Sequence, residues 1–107
     1  MSVELFWSDR AKLRMIEIGD FIAERDPALA FRTITSLFDR VAVLAEHPQM
    51  GIVFPGSPTD NVRVMHFDKY RVFYLFDSSI PRVTVLTVRH GRQAPLSLER
   101  VLDDDEP

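Results

Sequence analysis

The chain of 107 residues contains no cysteine, which excludes a disulfide framework and any metal site built on thiolates. Lysine is also scarce, because only Lys12 and Lys69 are lysines among 13 basic residues. The excess of arginine favours planar, bidentate recognition over diffuse charge attraction. No apolar run approaches the roughly 18 residues that span a bilayer, and the N-terminus has no basic segment followed by an apolar one. We therefore expect a cytoplasmic protein that is neither secreted nor inserted in a membrane.

The composition, with 46% hydrophobic and 27% charged residues, is typical of one soluble globular domain. Four of the 16 acidic residues lie in the last five positions, so the rest of the chain has one more basic than acidic residue. The sequence predicts a domain over residues 1–93 and a C-terminal tail over 94–107, acidic and flexible at 103–107. That tail is either a solvated end or a screen over a basic surface until a partner displaces it.

The first half of the chain predicts a short strand followed by two helices. Alternating residues at 3–7 predict the strand, and Ser8 or Asp9 can cap the first helix. Apolar residues at steps of three and four then predict one helix face, which Phe21 widens: Ala11, Met15, Ile18 and Ile22. The helix should end just before Pro27, because proline disfavours helical geometry in the residue before it.

A second helix should begin near Pro27, where a first-turn proline costs little, and end near His47 and Pro48. Its apolar residues form a face broad enough to pack on both the first helix and a sheet. We interpret all of them as core: Phe31, Ile34, Phe38, Val41 and Ala45, with Leu37 and Leu44 beside them.

The second half of the chain changes to a hydrophobic period of two. Residues 51–62 have two prolines, two glycines and no basic residue, and are interpreted as a loop. Three antiparallel strands joined by short turns are predicted at about 62–67, 70–77 and 82–90.

A two-residue turn between the first two of these strands fixes their register. It places Phe67 opposite Tyr70, and the other facing pairs are Met65 with Val72, Arg63 with Tyr74, His66 with Arg71, and Val64 with Phe73. Both faces of the sheet are then substantially apolar. Because two helices cover only one face, we expect the other to expose an apolar patch for a partner.

Two segments on these strands carry cations among apolar residues, which is costly unless the cations have a task. They are the stretches around Arg71 and around His90. The candidate partner-binding residues are Arg63, Tyr70, Arg71, Tyr74, Arg89, His90 and Arg92.

The whole pattern resembles the toxins of the RelE/ParE superfamily over roughly residues 3–92. The resemblance is carried by Trp7 and Ser8 before the first helix, the run from Leu44 to Gly51 (LAEHPQMG), and the segments YRVFY at 70–74 and VRHGR at 88–92. The run LAEHPQMG is similar to the ParE branch. The resemblance implies an α+β fold: a short N-terminal strand, a two-helix antiparallel hairpin and a three-stranded antiparallel sheet.

Members of this superfamily are toxins of type II toxin–antitoxin modules, so the resemblance implies a cognate antitoxin as partner. We expect a ribbon-helix-helix antitoxin of the ParD type, in a hetero-oligomer that contacts operator DNA only through the antitoxin. The toxin body is too nearly neutral to indicate DNA binding of its own. No cofactor is expected, and the three histidines lack the short spacing of a metal site.

The resemblance implies one of two targets. The RelE branch cleaves mRNA on the ribosome, and by this resemblance the catalytic residues would be Arg71, His90 and Arg92. Either Arg92 or Arg89 would supply the second basic group. However, the loop at 51–62 lacks the lysines of that branch, and no tyrosine follows Arg92. In the ParE branch, which poisons DNA gyrase, no catalytic set is required. The sequence therefore favours a gyrase poison, with the endoribonuclease as the alternative.

Structural interpretations of the same residues remain open. Arg71 could pair with an acid such as Asp68 or Asp77, and His90 could cap the last strand through a backbone hydrogen bond. Arg63 could extend its stem across Tyr74 with its head in water. His66 could face Arg71 only if it is neutral, which argues against a charged catalytic pair. His47 fits a residue at a helix end, stabilised by the helix dipole.

Overall fold

The structure, a computed structural model, describes residues 2–57 and 59–103. It confirms an α+β fold with the predicted order of strand, two helices and antiparallel strands. In chain order the elements are β1 (Glu4–Trp7), α1 (Asp9–Ala23), α2 (Pro27–Ala42), a 3₁₀ turn (Val43–Ala45), β2 (Ile52–Val53), β3 (Val62–Phe67), β4 (Tyr70–Asp77), β5 (Arg82–His90) and α3 (Leu98–Leu102).

Both long helices begin with a side-chain cap, which is the predicted Ser8 for α1 and is Asp26, just before the predicted start at Pro27, for α2. The Ser8 side chain accepts a hydrogen bond from the amide of Ala11, and the Asp26 side chain accepts one from the amide of Leu29. Both bonds satisfy amides that the first turn of a helix leaves without a partner. Pro27 then occupies the start of α2. The helices form a hairpin because only residues 24–26 connect them.

The sheet has five strands in the order β1-β5-β4-β3-β2, so the three predicted antiparallel strands are confirmed but the sheet is larger than expected. β1 joins the edge of the sheet parallel to β5, and the segment interpreted as a loop contains β2, which pairs with β3. Because β2 has only two residues, it gives no detectable alternation in the sequence. The predicted register of β3 against β4 is confirmed at all five pairs.

Each face of the sheet has its own apolar core. The hairpin of α1 and α2 covers the first face, where Val72, Tyr74 and Val85 are fully buried. On the second face α3 places Val101 in a smaller cluster with Val62, Val64, Phe73 and Leu86. The expected exposed patch is therefore partly covered by the chain itself. The C-terminal helix responsible for this was not predicted, and residues 104–107 of the predicted acidic tail lie outside the described residues.

Phe31 and Phe38, which were interpreted as core, lie at the surface, as does Phe21, which was expected to widen the apolar face of the first helix. Phe21 and Phe31 are each 74% exposed, and Phe38 is 44% exposed while its ring packs on Trp7 at 4.8 Å. The buried face of α2 is centred on Leu37 and Val41, which are fully buried. Since each residue turns a helix by about 100°, the three phenylalanines project to the side of the buried faces.

No helix in the described part of the chain is long and apolar enough to cross a bilayer.

Candidate functional site

The cationic side chains cluster at the end of the sheet where β5 finishes. His66, Arg71 and Arg89 lie side by side on β3, β4 and β5, and the neighbouring row consists of Phe67, Tyr70 and His90. Successive side chains of a strand point to opposite faces. The row with Arg71 therefore projects on the second face, with α3, and the row with His90 projects on the face of the helical hairpin.

The two strand arginines hold the chain that follows β5. Arg71 Nη2 donates to the carbonyl of Gln93 at 3.2 Å, and Arg89 Nη2 donates to the carbonyl of Ala94 at 2.9 Å. Within the described residues neither Asp68 nor Asp77 forms an ion pair with Arg71. The interpretation that Arg71 pairs with one of these acids is therefore wrong. The Asp77 carboxylate accepts hydrogen bonds from Ser79 instead, which lower the pKa of Asp77.

His90 is built into the turn that ends β5. Its ring Nδ1 accepts a hydrogen bond from the Arg92 amide at 3.0 Å, and its own amide donates to Gln93 Oε1 at 2.9 Å. An Nδ1 that accepts a hydrogen bond carries no proton, so the neutral ring has its proton on Nε2. The structure thus supports the interpretation of His90 as a strand cap. The Arg92 side chain is exposed beside it.

The His90 ring rests edge-on against Tyr70, with 5.4 Å between ring centroids. Tyr70 is 8% exposed, and burial raises the pKa of its hydroxyl, with a further contribution from the charge of Asp68. The aromatic pair closes the hairpin-side core at this end of the sheet.

Arg63 and Tyr74 clamp the segment that joins the 3₁₀ turn to β2. The fully buried Tyr74 donates its hydroxyl to the carbonyl of Pro48 at 2.8 Å and accepts from the amide of Gly51 at 2.9 Å. Arg63 Nη1 donates to the carbonyl of Gly51 at 2.8 Å. Burial raises the pKa of Tyr74, against the opposing effects of the Gly51 hydrogen bond and the Arg63 charge. These two site residues therefore shape a loop rather than present free groups.

Gly51 is required by this clamp. A Cβ at this position would lie 2.8 Å from Tyr74 Oη and 2.8 Å from the carbonyl oxygen of Val64, closer than side chains approach. The glycine that ends the run LAEHPQMG therefore has a packing role, and the run itself sets the path of the chain into β2.

A groove of about 450 Å³ opens on the second face next to Arg71. It brings a cation and an imidazole, Arg71 and His66, into an otherwise mostly apolar cleft. The other lining residues are Ile52, Phe54, Pro55, Val64, Phe73, Pro95, Leu96, Ser97 and Leu98. His66 faces Arg71 in the predicted register but was not predicted as a site residue, because the strand pattern does not reveal the wall that residues 95–98 form.

The outer side of the helical hairpin is the other notable surface. Besides Phe21 and Phe31, it exposes Leu13 at 48% and Ile16 at 59%. Exposed apolar side chains mark a contact surface where they adjoin one another, so these four are candidates for one. Among the described residues no group of three or more His, Cys, Asp or Glu could hold a metal ion.

The structure therefore divides the predicted site. It brings Arg71 and Arg89 together with His66 on one face, places Tyr70 and His90 on the other, and uses Arg63 and Tyr74 to hold a loop.

Comparison with known proteins gives a consistent result. Residues 5–95 match the sequence model of the family described as the ParE toxin of the type II toxin–antitoxin system parDE. A protein of Sinorhizobium fredii, Y4kP, which is described as a candidate toxin, is 34% identical over 88 residues; the match covers 81% of this chain and 86% of Y4kP.

Two solved structures share the fold at low sequence identity. A chain of the chromosomal ParDE system of Pseudomonas aeruginosa superimposes with a TM-score of 0.70 at 16% identity. The superposition covers 83% of this chain and 96% of the Pseudomonas chain. A chain of the RelBE2 toxin–antitoxin complex of Mycobacterium tuberculosis superimposes with a TM-score of 0.65 at 15% identity, covering 84% and 99%. At these identities the likeness concerns the fold.

Proposed function

The chain belongs to the ParE toxin family of type II toxin–antitoxin systems, and from this premise we propose that it acts as a protein-binding poison of DNA gyrase. The endoribonuclease of the RelE branch is the alternative. Both activities stop growth, but only the second needs groups that move protons at a phosphodiester. The geometry of the cationic cluster is therefore the criterion that separates them.

The observation that carries the proposal is that Arg71 and His90 project from opposite faces of the sheet. Cleavage by the 2′-hydroxyl needs a base, an acid and a cation around one phosphate. A phosphate bound at Arg71 is separated from the His90 ring by the sheet, and the Nδ1 of that ring already accepts the Arg92 amide. This separation weighs against a shared catalytic role of Arg71, His90 and Arg92 and supports the proposal.

The partner that neutralises the toxin is a cognate antitoxin, as in the toxin–antitoxin complexes that share this fold. The exposed apolar side of the hairpin, with Phe21 and Phe31, offers the anchors that such an interface needs. On this proposal the antitoxin is of the ribbon-helix-helix, ParD-like type and carries the contacts to operator DNA. The complex works in the cytoplasm without a cofactor.

The second candidate, RNA cleavage, is favoured by one feature. His66 lies opposite Arg71 on the same face, and both line the groove on that face. Arg71 Nε is buried and has no hydrogen-bond partner among the described residues. The imidazole could transfer a proton and the guanidinium could bind the phosphate, which are two of the three functions that cleavage needs.

Two assays with the purified chain distinguish the candidates. One measures inhibition of supercoiling by gyrase, and the other measures cleavage of mRNA on programmed ribosomes. We expect gyrase inhibition and uncut mRNA. The double variant His66→Gln, Arg71→Gln should keep at least half of the gyrase inhibition, and Lys12→Gln, an exposed position on α1, is the control for loss of one charge.

The nuclease is established instead if the unmodified chain cuts ribosome-bound mRNA and the double variant loses that cleavage by about 100-fold or more, the usual contribution of acid–base groups. Gyrase activity that is unchanged at toxin concentrations above that of gyrase contradicts the proposal.

A further inference from the structure

The C-terminal helix is held in place by a buried arginine from the start of the domain. Arg10, in the first turn of α1, is 5% exposed and donates from Nη1 to the carbonyl of Arg100 at 2.8 Å. Its guanidinium also donates to the carbonyls of Val101 and Asp103. The last turn of a helix leaves most of its carbonyls without partners in the helix, although the Arg100 carbonyl also accepts from the Asp103 amide.

The same guanidinium is fixed to the sheet. Arg10 Nε donates to the carbonyl of Leu86 at 3.1 Å, and the Ser8 hydroxyl donates to the same oxygen at 2.9 Å. Arg10 therefore links three elements that are distant in sequence: the beginning of α1, the middle of β5 and the end of α3.

Without such contacts α3 would not persist, because it has only five residues and isolated helices of that length are unstable in water. Its own anchors are few. Ser97 caps it by accepting from the Arg100 amide at 3.2 Å, and Val101 is fully buried against Val62, Phe73 and their neighbours. Among the described residues its main attachments are this apolar region and the Arg10 guanidinium, and so short a helix is an element of low local stability.

The position of this segment matters for the groove at Arg71. Leu96, Ser97 and Leu98, at the beginning of α3, form one wall of that groove, whereas Arg10 holds the other end of the helix. When the helix is in place, it covers the second face and closes the groove on one side. When it leaves, Phe73 and the apolar residues around it face solvent.

We propose that residues 95–103 form a lid over the second face of the sheet and that Arg10 is the latch that keeps the lid closed. The lid opens while the rest of the domain stays folded. Arg10 is thus a positioning residue for the groove, which it does not line. This inference does not depend on which cellular target the toxin has.

The test is amide hydrogen exchange by NMR on the full chain, comparing two sets of amides. The lid is reported by the amides of Val101 and Asp103, which donate to Ser97 and Arg100. The domain is reported by the ladder between β4 and β5. The variants are Arg10→Met, which keeps the stem and removes the donors, and Val101→Ala, which removes the apolar anchor; Lys12→Met, exposed two residues away, is the control.

We expect Arg10→Met and Val101→Ala each to accelerate hydrogen exchange of the lid amides by about tenfold or more, which is the effect of losing one well-made buried interaction. The exchange rates of the amides in the β4–β5 ladder should change by less than about threefold. Lys12→Met should change neither. An apolar fluorescent dye should bind the two lid variants and not the control.

Three results overturn the proposal. Equal acceleration of lid and ladder in Arg10→Met means that Arg10 stabilises the whole domain and is no latch. Unchanged lid exchange in that variant means that Arg10 does not hold the helix. An Arg10→Met chain that fails to fold, while Val101→Ala opens the lid selectively, means that the arginine belongs to the core of the domain.

Discussion

Replacing Tyr74 by phenylalanine removes one oxygen atom from the centre of the molecule and tests the clamp directly. The Tyr74 hydroxyl is the only atom that links Pro48 and Gly51 to β4 through both a donated and an accepted hydrogen bond in the described structure. The matched control is Tyr70→Phe on the same strand and the same face. The Tyr70 side chain is also buried, but its hydroxyl makes no hydrogen bond to another described residue.

The magnitude follows from the number of bonds. Each hydrogen bond contributes about 1 kcal/mol net, and a buried amide left without an acceptor adds roughly 1 kcal/mol. We therefore expect Tyr74→Phe to lower the free energy of unfolding by about 2–3 kcal/mol, since the Gly51 amide has no other acceptor among the described residues. Tyr70→Phe should cost less than about 0.5 kcal/mol.

Urea denaturation of the isolated toxin, followed by the fluorescence of Trp7, measures both values. In a thermal scan the Tyr74 variant should melt roughly 10–20 °C lower, using the usual dependence for domains of this size. If the two variants lose equal stability, or if Tyr74→Phe loses less than its control, the clamp does not hold the segment and its assigned role is wrong.

Three further outcomes are expected. Burial raises the pKa of Tyr74 in the folded protein above 10, the pKa of an unfolded tyrosine. The stability that the protonated Tyr74 hydroxyl contributes should therefore be fully present below pH 10 and be lost as the pH rises through the folded-state pKa. Between pH 9 and 11, denaturation should show a steeper loss of stability in the unmodified chain than in Tyr74→Phe. In the same assay Gly51→Ala should lower the free energy of unfolding by about 1–3 kcal/mol, because the new methyl group would clash with Tyr74 Oη. At Gly56 a new methyl group would have no described atom within contact distance, so Gly56→Ala should lose only the stability that the strain of its positive φ costs. Phe31→Ser should change the free energy of unfolding by less than about 0.5 kcal/mol and weaken antitoxin binding, measured by calorimetry, at least tenfold. The buried control, Leu37→Ala, should lower the free energy of unfolding by about 2–5 kcal/mol. Unchanged antitoxin binding by Phe31→Ser contradicts the role of the hairpin surface.

The parts of the fold that depend on local chemistry could be predicted from the sequence. Ser8 caps α1 and α2 begins at Pro27, both as predicted, because the start of a helix depends on a few adjacent residues. The register of β3 and β4 follows from a two-residue turn, in which Asp68 takes a φ of 53°, a conformation that aspartate tolerates. Both are decided within a few residues along the chain.

The parts that depend on distant residues could not be predicted. The helix α3 exists because Arg10, some ninety residues earlier, binds its end carbonyls. The side of α2 that faces the core depends on where α1 and the sheet lie. The periodicity alone therefore did not separate Phe31, which is exposed, from Leu37, which is buried.

The placement of the candidate site residues could not be predicted for a related reason. Arg71 and His90 are grouped by the sequence pattern, but they project from opposite faces of the sheet. Their faces follow from the register of β4 against β5, which has an irregularity between Phe73 and Tyr74. Such a bulge shifts the alternation by one residue and leaves no mark in the hydrophobic pattern.

The most direct test of the central claim is pulse-labelling of DNA and protein synthesis in cells that express this chain without its antitoxin. If the chain poisons gyrase, DNA synthesis falls first, within minutes, together with a DNA-damage response. A fall in protein synthesis before any change in DNA synthesis contradicts the claim and assigns the groove at His66 and Arg71 to RNA.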